Sequence, residues 1–176
     1  VRTQIRRRRF QQKLRANYET SLSMALTDTL TGLYNRRYLN VHLDKLLKTP
    51  ADIRKPMAVL LFDLDRFKAI NDTHGHAIGD DVLRIFAERL RQRMRSFDLL
   101  ARTGGEEFIA VLVDVSVERA CYVAERLRRA IASEVFKVSG GIDPLTVTTS
   151  IGVAYISGEQ TTIEDAIKRA DAELYN

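Results

Sequence analysis

Leu14, Tyr18, Leu22 and Leu26, with Met24 and Ala25, recur at steps of three to four residues, so the pattern predicts an amphipathic helix running to about Ala25. Thr31-Gly32 and Asn35 interrupt it, and Tyr38, Leu39, Leu43, Leu46 and Leu47 restart a helical period that ends before Thr49-Pro50. After Pro56 the run from Met57 to Phe62 is apolar at every position, too short and too apolar for a surface helix, and predicts a buried strand. Asp63 and Asp65 close it, a polar loop is expected through Asn71, Gly75 and Gly79, and a helix from near Asp80 with Val82, Leu83, Phe86, Leu90 and Met94 on one face. Leu99 to Ala101 and Phe108 to Val113 flank Thr103-Gly104-Gly105, a hairpin pattern. Ser116 can cap a helix packed by Ala120, Val123, Ala124, Leu127 and Ile131, with Cys121 expected on that apolar face. Leu145 to Tyr155 predicts a last strand, and Thr162-x-x-Asp165 a capped helix through Ile163, Ala166, Ile167, Ala170 and Leu174.

From Met57 the order is strand, helix, two hairpin strands, helix, strand, helix. This split βαββαβ pattern predicts an α+β fold of the ferredoxin-like kind, an antiparallel-rich central sheet with helices on one face. Residues 1–26 form an arm ahead of a domain spanning residues 27–176.

Composition then narrows the class. A chain of 176 residues, 45% hydrophobic and 29% charged, can bury roughly 70% of its unfolded surface, which excludes disordered and low-complexity classes. One cysteine cannot form an internal disulfide, and no apolar run approaches the roughly 20 residues of a membrane span, so a cytoplasmic setting without membrane insertion is expected. The first residue is Val1, which suggests a piece of a longer protein. The net charge of +5 raises nucleic acid or an anionic membrane as partners. However, Arg2, Arg6, Arg7, Arg8, Arg9, Lys13 and Arg15 carry seven positive charges, and residues 16–176 hold 21 basic against 23 acidic groups, net −2. The arm is scarce in aromatic residues for base stacking, so a solvated linker is favoured over a nucleic-acid or lipid arm.

Candidate chemistry sits in the acidic residues. Asp63 and Asp65, two apart on a strand, point to the same side. In this topology the hairpin bearing Glu106 and Glu107 lies beside the first strand, so three or four carboxylates converge. Converging carboxylates repel unless a hard divalent cation sits among them, and Mg²⁺ commonly shares such ligands with substrate phosphates. Solvated strand ends, a plain tight turn at Gly104-Gly105 and surface charges at Lys68 and Arg102 are the duller readings. His74 and His76 lack a further His or Cys at zinc spacing, and Cys121 reads as core rather than nucleophile.

Arg102-Thr-Gly-Gly-Glu-Glu-Phe108 resembles the signature of the GGDEF family of diguanylate cyclases, in its GGEEF form. It is joined in family order by Asp28-x-Leu-Thr-Gly-Leu-x-Asn-Arg-Arg37, Phe62-Asp-Leu-Asp-Arg-Phe-Lys-Ala-Ile-Asn-Asp72, Gly75-His-x-Ile-Gly-Asp80, Ser150-Ile-Gly-Val153 and Arg169-Ala-Asp-x-x-Leu-Tyr175. The resemblance covers about Thr27 to Asn176, and the preceding helix resembles the linker of response-regulator cyclases of the PleD type. It implies a palm-like nucleotidyl cyclase core, an upstream sensory or receiver module, and condensation of two GTP to cyclic di-GMP with release of two pyrophosphates, each half-site from one protomer of a homodimer. Carried over by position, Asp63, the Leu64 carbonyl and Glu106 resemble Mg²⁺ ligands with Glu107 in support, two ions per site being expected and Mn²⁺ an alternative. Glu106 or Glu107 assists deprotonation of the attacking hydroxyl. Asn71 and Asp80 match the guanine readers, Phe67 and Lys68 the phosphate turn, with His76 in the same pocket and Arg102 among the substrate contacts. Arg95-x-x-Asp98 resembles the product-inhibition site and Arg126 its secondary arginine; a local ion pair is the plainer reading. The family continues past Leu174-Tyr175 with a Lys and an Arg, so a chain truncated at Asn176 is expected to bind triphosphate more weakly. A cyclic di-GMP receptor with little turnover is the alternative function.

Overall fold

The computed structural model describes residues 25–50, 52–157 and 162–173. The predicted arm helix falls outside them except for residues 25 and 26, which are helical. The chain then runs through β1 (Tyr34–Asn35), α1 (Arg36–Leu47), β2 (Met57–Leu64), α2 (Phe67–His74), α3 (His76–Arg93), β3 (Leu99–Gly104), β4 (Glu107–Val113), α4 (Val117–Ser133), β5 (Thr149–Ile156) and α5 (Ile163–Glu173). The sheet order is β1-β3-β4-β2-β5. β2 is antiparallel to both β4 and β5, β3 is antiparallel to β4, and β1 pairs parallel with β3. The α+β core expected from the split pattern is present.

Side chains alternate along β2 and so build two cores. Ala58, Leu60, Phe62 and Leu64 pack with Val82, Phe86 and Leu90 of α3 and Leu127 and Ile131 of α4. Met57, Val59 and Leu61 pack with Leu39 and Leu43 of α1 and Ala166 and Ala170 of α5. The expectation of helices on one face is therefore corrected: they cover both. An unbroken apolar run shows an apolar side chain to each face of a sheet, and both must be covered. Phe86 sits against Phe62 and Phe108, ring centroids 6.3 and 4.9 Å away, and its loss to Ala would cost about 3–5 kcal/mol.

Other expectations also change. The loop from Asn71 to Gly79 is two helices, broken at Gly75 with φ +87°, and α3 starts at His76 rather than near Asp80. Its early turns expose polar side chains, with Ile78 and Gly79 buried, so the apolar period is weak there. β5 begins at Thr149; Leu145 instead exchanges backbone hydrogen bonds with Phe136 at 2.7 and 3.0 Å. Cys121 is exposed, one position off the buried stripe of Ala120, Val123, Ala124, Leu127 and Ile131.

Ser116 and Thr162 cap helices as expected, and Asn35, expected only as an interruption, is a third cap. Asn35, Ser116 and Thr162 accept from the backbone amides of Tyr38, Arg119 and Asp165 at 2.9, 3.2 and 3.2 Å. Arg89 closes the other end of α4: 9% exposed, it donates to the Glu134 and Val135 carbonyls at 2.7 Å each and stacks over Phe136.

Candidate active site

β2 carries Asp63 out of the core at its C-terminal end, where the register sets it opposite Glu107 of β4 and Ser150 of β5. The β3–β4 turn beside it is made by Gly104 and Gly105 with φ of +147° and +51°, conformations that glycine adopts without steric cost. Arg102 holds this turn from below. Its Nε and one terminal nitrogen donate to the Gly105 carbonyl at 3.0 and 2.7 Å, and the other terminal nitrogen donates to both carboxylate oxygens of Asp28 at 3.2 and 3.1 Å. Asp28 also accepts from the amide and hydroxyl of Thr31 at 2.9 and 2.7 Å. Burial opposes its ionisation, but the Thr31 and Arg102 hydrogen bonds outweigh that and hold Asp28 below the usual carboxylate range. Arg102, expected as a substrate contact, thus ties the wide turn at residues 28–33 to the signature turn.

Asp63 shows the opposite electrostatics. Burial first, then the charges of Glu106, Glu107, Asp65 and Asp171, push its carboxyl above the usual range. Of the neighbouring charges, all those acting on Asp63 are acidic, while Asp65 itself feels the Arg128 guanidinium of α4. Asp65 is already used, accepting from the hydroxyls of Thr148 and Ser150 at 2.6 and 2.7 Å and so pinning β2 to β5. Among the described residues no three His, Cys, Asp or Glu side chains close on one point as a metal cage, so the expected convergence of three or four ligands is looser than a closed site. This donor set fits a cation such as Mg²⁺, which takes one or two carboxylates and leaves its other positions to phosphate and water. Asp171, on the last turns of α5, joins the acidic field; it lies within the quoted Arg169-Ala-Asp motif but carried no role by position.

Beyond Leu64 the chain enters α2 through Arg66, whose φ of +58° is left-handed, a conformation that costs a non-glycine residue about 1–3 kcal/mol and concentrates at functional turns. Phe67 is buried at the first position of α2 and Lys68 is exposed beside it. The Oδ1 of Asn71 is buried with no hydrogen-bond partner. It lies on Gly79 of α3 so closely that a Cβ there would stand 1.9 Å from it. Buried amide oxygens are seldom left without a donor, so this one, in a cradle that only glycine permits, is open to a hydrogen bond from outside the chain. Asp80, half-buried, is the next residue, and His76 is exposed on the first turn of α3. The sequence hid this cradle, since the Gly79–Asn71 contact needs the α2–α3 corner to form.

The third group lies beyond α3. Asp98 accepts from the Arg95 amide at 3.2 Å and its own amide donates to the Arg95 carbonyl at 3.1 Å, while the Arg95 guanidinium lies 5.5 Å from the Phe97 ring centre. A backbone turn, not a side-chain ion pair, joins these residues. Burial is the main cause raising the Asp98 carboxyl above its usual range. Arg126 of α4 donates to the Arg93 carbonyl at 2.9 Å, which brings it to the same end of α3.

Among the described residues no helix is long and apolar enough to cross a membrane. The family model described as diguanylate cyclase, GGDEF domain, matches residues 25–176. The response regulator PleD of Caulobacter vibrioides is 47% identical over 175 residues, covering 99% of this chain, and the diguanylate cyclase DgcP of Pseudomonas aeruginosa is 40% identical over 160 residues, covering 91%. The chain spans 38% and 23% of the lengths of those relatives. Among solved structures, the coiled coil and GGDEF domain of DgcB from Caulobacter crescentus, in complex with c-di-GMP, superposes with TM-score 0.86 at 28% identity over 93% of this chain and 86% of that one. The diguanylate cyclase SiaD of Pseudomonas aeruginosa, in complex with its activator SiaC, gives TM-score 0.80 at 35% identity over 95% and 63%.

Proposed function

The chain belongs to the GGDEF family of diguanylate cyclase domains, and on that premise we propose that it condenses two GTP into cyclic di-GMP across two half-sites joined in a homodimer. Each 3′-hydroxyl attacks the α-phosphorus of the other GTP. Two ester bonds form, two bonds to pyrophosphate break, and two protons leave the hydroxyls. The observation that carries this reading is the set of like charges acting on Asp63 beside the glycine turn.

Asp63, the Leu64 carbonyl and Glu106 would hold Mg²⁺, with Glu107 in support. The ion supplies charge neutralisation at the phosphates and lowers the pKa of the attacking hydroxyl. The chain's own residues do the rest. Glu106 or Glu107 accepts the hydroxyl proton, and Phe67, Lys68 and their amides hold the β- and γ-phosphates. The Asn71 amide meets the guanine acceptor edge, and Asp80 accepts from the guanine N1–H and N2–H, which adenine does not offer in that arrangement. Asn71 is preset for this by its seat on Gly79. Arg102 acts through Gly105 by fixing the turn that presents Glu106. Arg95, Asp98 and Arg126 bind cyclic di-GMP and slow the enzyme, and an upstream sensory or receiver module controls when half-sites meet in the cytoplasm.

Incubation with GTP and Mg²⁺, followed by chromatography and mass spectrometry, tests the reading. Cyclic di-GMP and pyrophosphate in a ratio of one to two are expected, with none from ATP and none after chelation. A chain that binds cyclic di-GMP but makes none would instead be a receptor.

A further inference from the structure

The helix that carries Asp80 starts without a side-chain cap. Gly75 stands at the N-cap of α3 with φ +87° and offers no oxygen to the first amides. Glycine allows the α2–α3 corner and does not hold it. The core stripe of α3 begins with Val82 and Leu83, and ahead of them only Ile78 and Gly79 are buried. Contacts from outside the helix therefore fix these first turns: Asn71 of α2 lies on Gly79, and the loop over residues 134–148 lies on Ile78 and Asp81.

That loop is braced on the core. Phe136 is fully buried under Arg89 and exchanges backbone hydrogen bonds with Leu145, and between them the chain turns at Gly140 and Gly141 with φ of +79° and +69°. A Cβ on Gly140 would stand 3.6 Å from Cδ1 of Ile78, an ordinary contact distance. Beside it the Ser139 amide donates to Asp81 Oδ2 at 2.9 Å, across 58 positions of chain, while Arg84 donates to the other oxygen at 2.9 Å. The Asp81 side chain is only 21% exposed. Hydrogen bonds from Ser139, then the Arg84 guanidinium, hold its carboxyl below the usual range, so at neutral pH the Ser139 bond is charge-assisted and roughly twice as strong as a neutral one.

Asp80 and Asp81 share one helical turn, and whatever fixes the rotation of one fixes the other. At a side-chain radius of about 5–6 Å, a rotation of about 10° moves a carboxylate by roughly 1 Å, enough to spoil paired hydrogen bonds to a base edge. We propose that Asp81 is a positioning residue for base selection: by accepting from the Ser139 amide it locks the first turns of α3 to the loop and so aims the Asp80 carboxylate at the guanine N1–H and N2–H. The proposal rests on the reading of Asp80 as a guanine ligand and extends base selection to a residue that acts through its neighbour.

Pyrophosphate release with GTP and with ITP, whose base keeps N1–H but lacks the N2 amino group, tests it in the native chain and in Asp81→Ala, Asp81→Asn and Arg84→Ala. The native chain should prefer GTP in kcat/KM by roughly ten-fold or more, the worth of a hydrogen bond to a charged group. Asp81→Ala, at a helix position outside the core that suits Ala, should raise the KM for GTP by roughly ten-fold with kcat within about three-fold, since base contacts are made equally in ground and transition states. Its preference for GTP should fall to about three-fold or less. Asp81→Asn keeps an acceptor for the Ser139 amide and should restore the preference, and Arg84→Ala removes only a local surface partner and should retain it. A merely destabilised fold would lower both rates together and leave their ratio unchanged. The native ratio in Asp81→Ala, its absence in Asp81→Asn or its loss in Arg84→Ala would overturn the positioning role. The native ratio in Asp80→Ala would overturn the reading of Asp80 beneath it.

Discussion

The two ends of β2 treat charge in opposite ways. Beside Met57, Lys55 and Asp114 meet at 2.7 Å across the surface, a pair of opposite sign with both partners more than half exposed. At the other end Asp63 faces Glu106, Glu107, Asp65 and Asp171, all of one sign. Between them the strand is uniformly apolar, so packing on both faces holds it in place whatever its ends do. The paired end adds little to stability and the like-charged end subtracts from it. In the function proposed above, a divalent cation and a triphosphate would complete this second arrangement, whose cost the packed sheet absorbs.

Substitutions can break that contrast in graded steps. Glu106→Gln should have the largest effect, lowering cyclic di-GMP production by at least roughly a hundred-fold while calorimetry still finds cyclic di-GMP binding at Arg95 and Asp98. Retained turnover would refute a metal or proton-transfer role for Glu106. Gly79→Ala comes next. It places a Cβ 1.9 Å from Asn71 Oδ1 and expels that side chain from its seat, so the KM for GTP should rise by roughly ten-fold or more with the melting temperature held by the better helix propensity of Ala. An unchanged KM would mean that Asn71 does not read the base.

Smaller effects separate the clamps from the surface. Asp28→Asn leaves Arg102 short of a charged partner and should cost about 1–3 kcal/mol in urea unfolding. Because Asp28 is held below the ordinary range, its contribution is complete above that range and is lost as pH falls through its folded value. The native and variant chains should therefore converge in stability on acidification, and a constant gap down to strongly acidic pH would contradict the clamp. Lys55→Ala, at the paired end, should change stability by less than about 1 kcal/mol.

How much of this was legible beforehand differs between the two kinds of feature. The apolar run of β2, the caps Ser116 and Thr162, and the Gly-Gly hairpin are local patterns and read directly from the chain, whereas Asn35 is read there only as an interruption. The second helical layer was implicit in the same run, since residues apolar on both parities need cover on both faces. By contrast the Asn71–Gly79 seat and the Asp28–Arg102–Gly105 clamp join residues that spacing alone does not bring together, the latter pair 74 positions apart. Arg66 carries its information in a backbone angle that its side chain does not announce. The approach of the acidic residues was legible from the strand order, and the register sets Asp63 against Glu107; that Asp65 is instead taken up by the Thr148 and Ser150 hydroxyls was not.

Like charges hold this end of β2 in electrostatic tension, and in the proposed function a bound cation would relieve it. The most direct test compares thermal unfolding of the native chain and Asp63→Asn, without nucleotide, with and without Mg²⁺. Because the Asp63 carboxyl is raised, its ionisation works against folding once pH exceeds the ordinary carboxylate range, and the penalty is complete above its folded value. At neutral pH without metal the variant should melt at a higher temperature than the native chain. That advantage should fade on acidification, and added Mg²⁺ should raise the native melting temperature while leaving the variant's nearly fixed. A native chain that is the more stable of the two in the absence of Mg²⁺, or a variant that responds to Mg²⁺ as strongly, would contradict it.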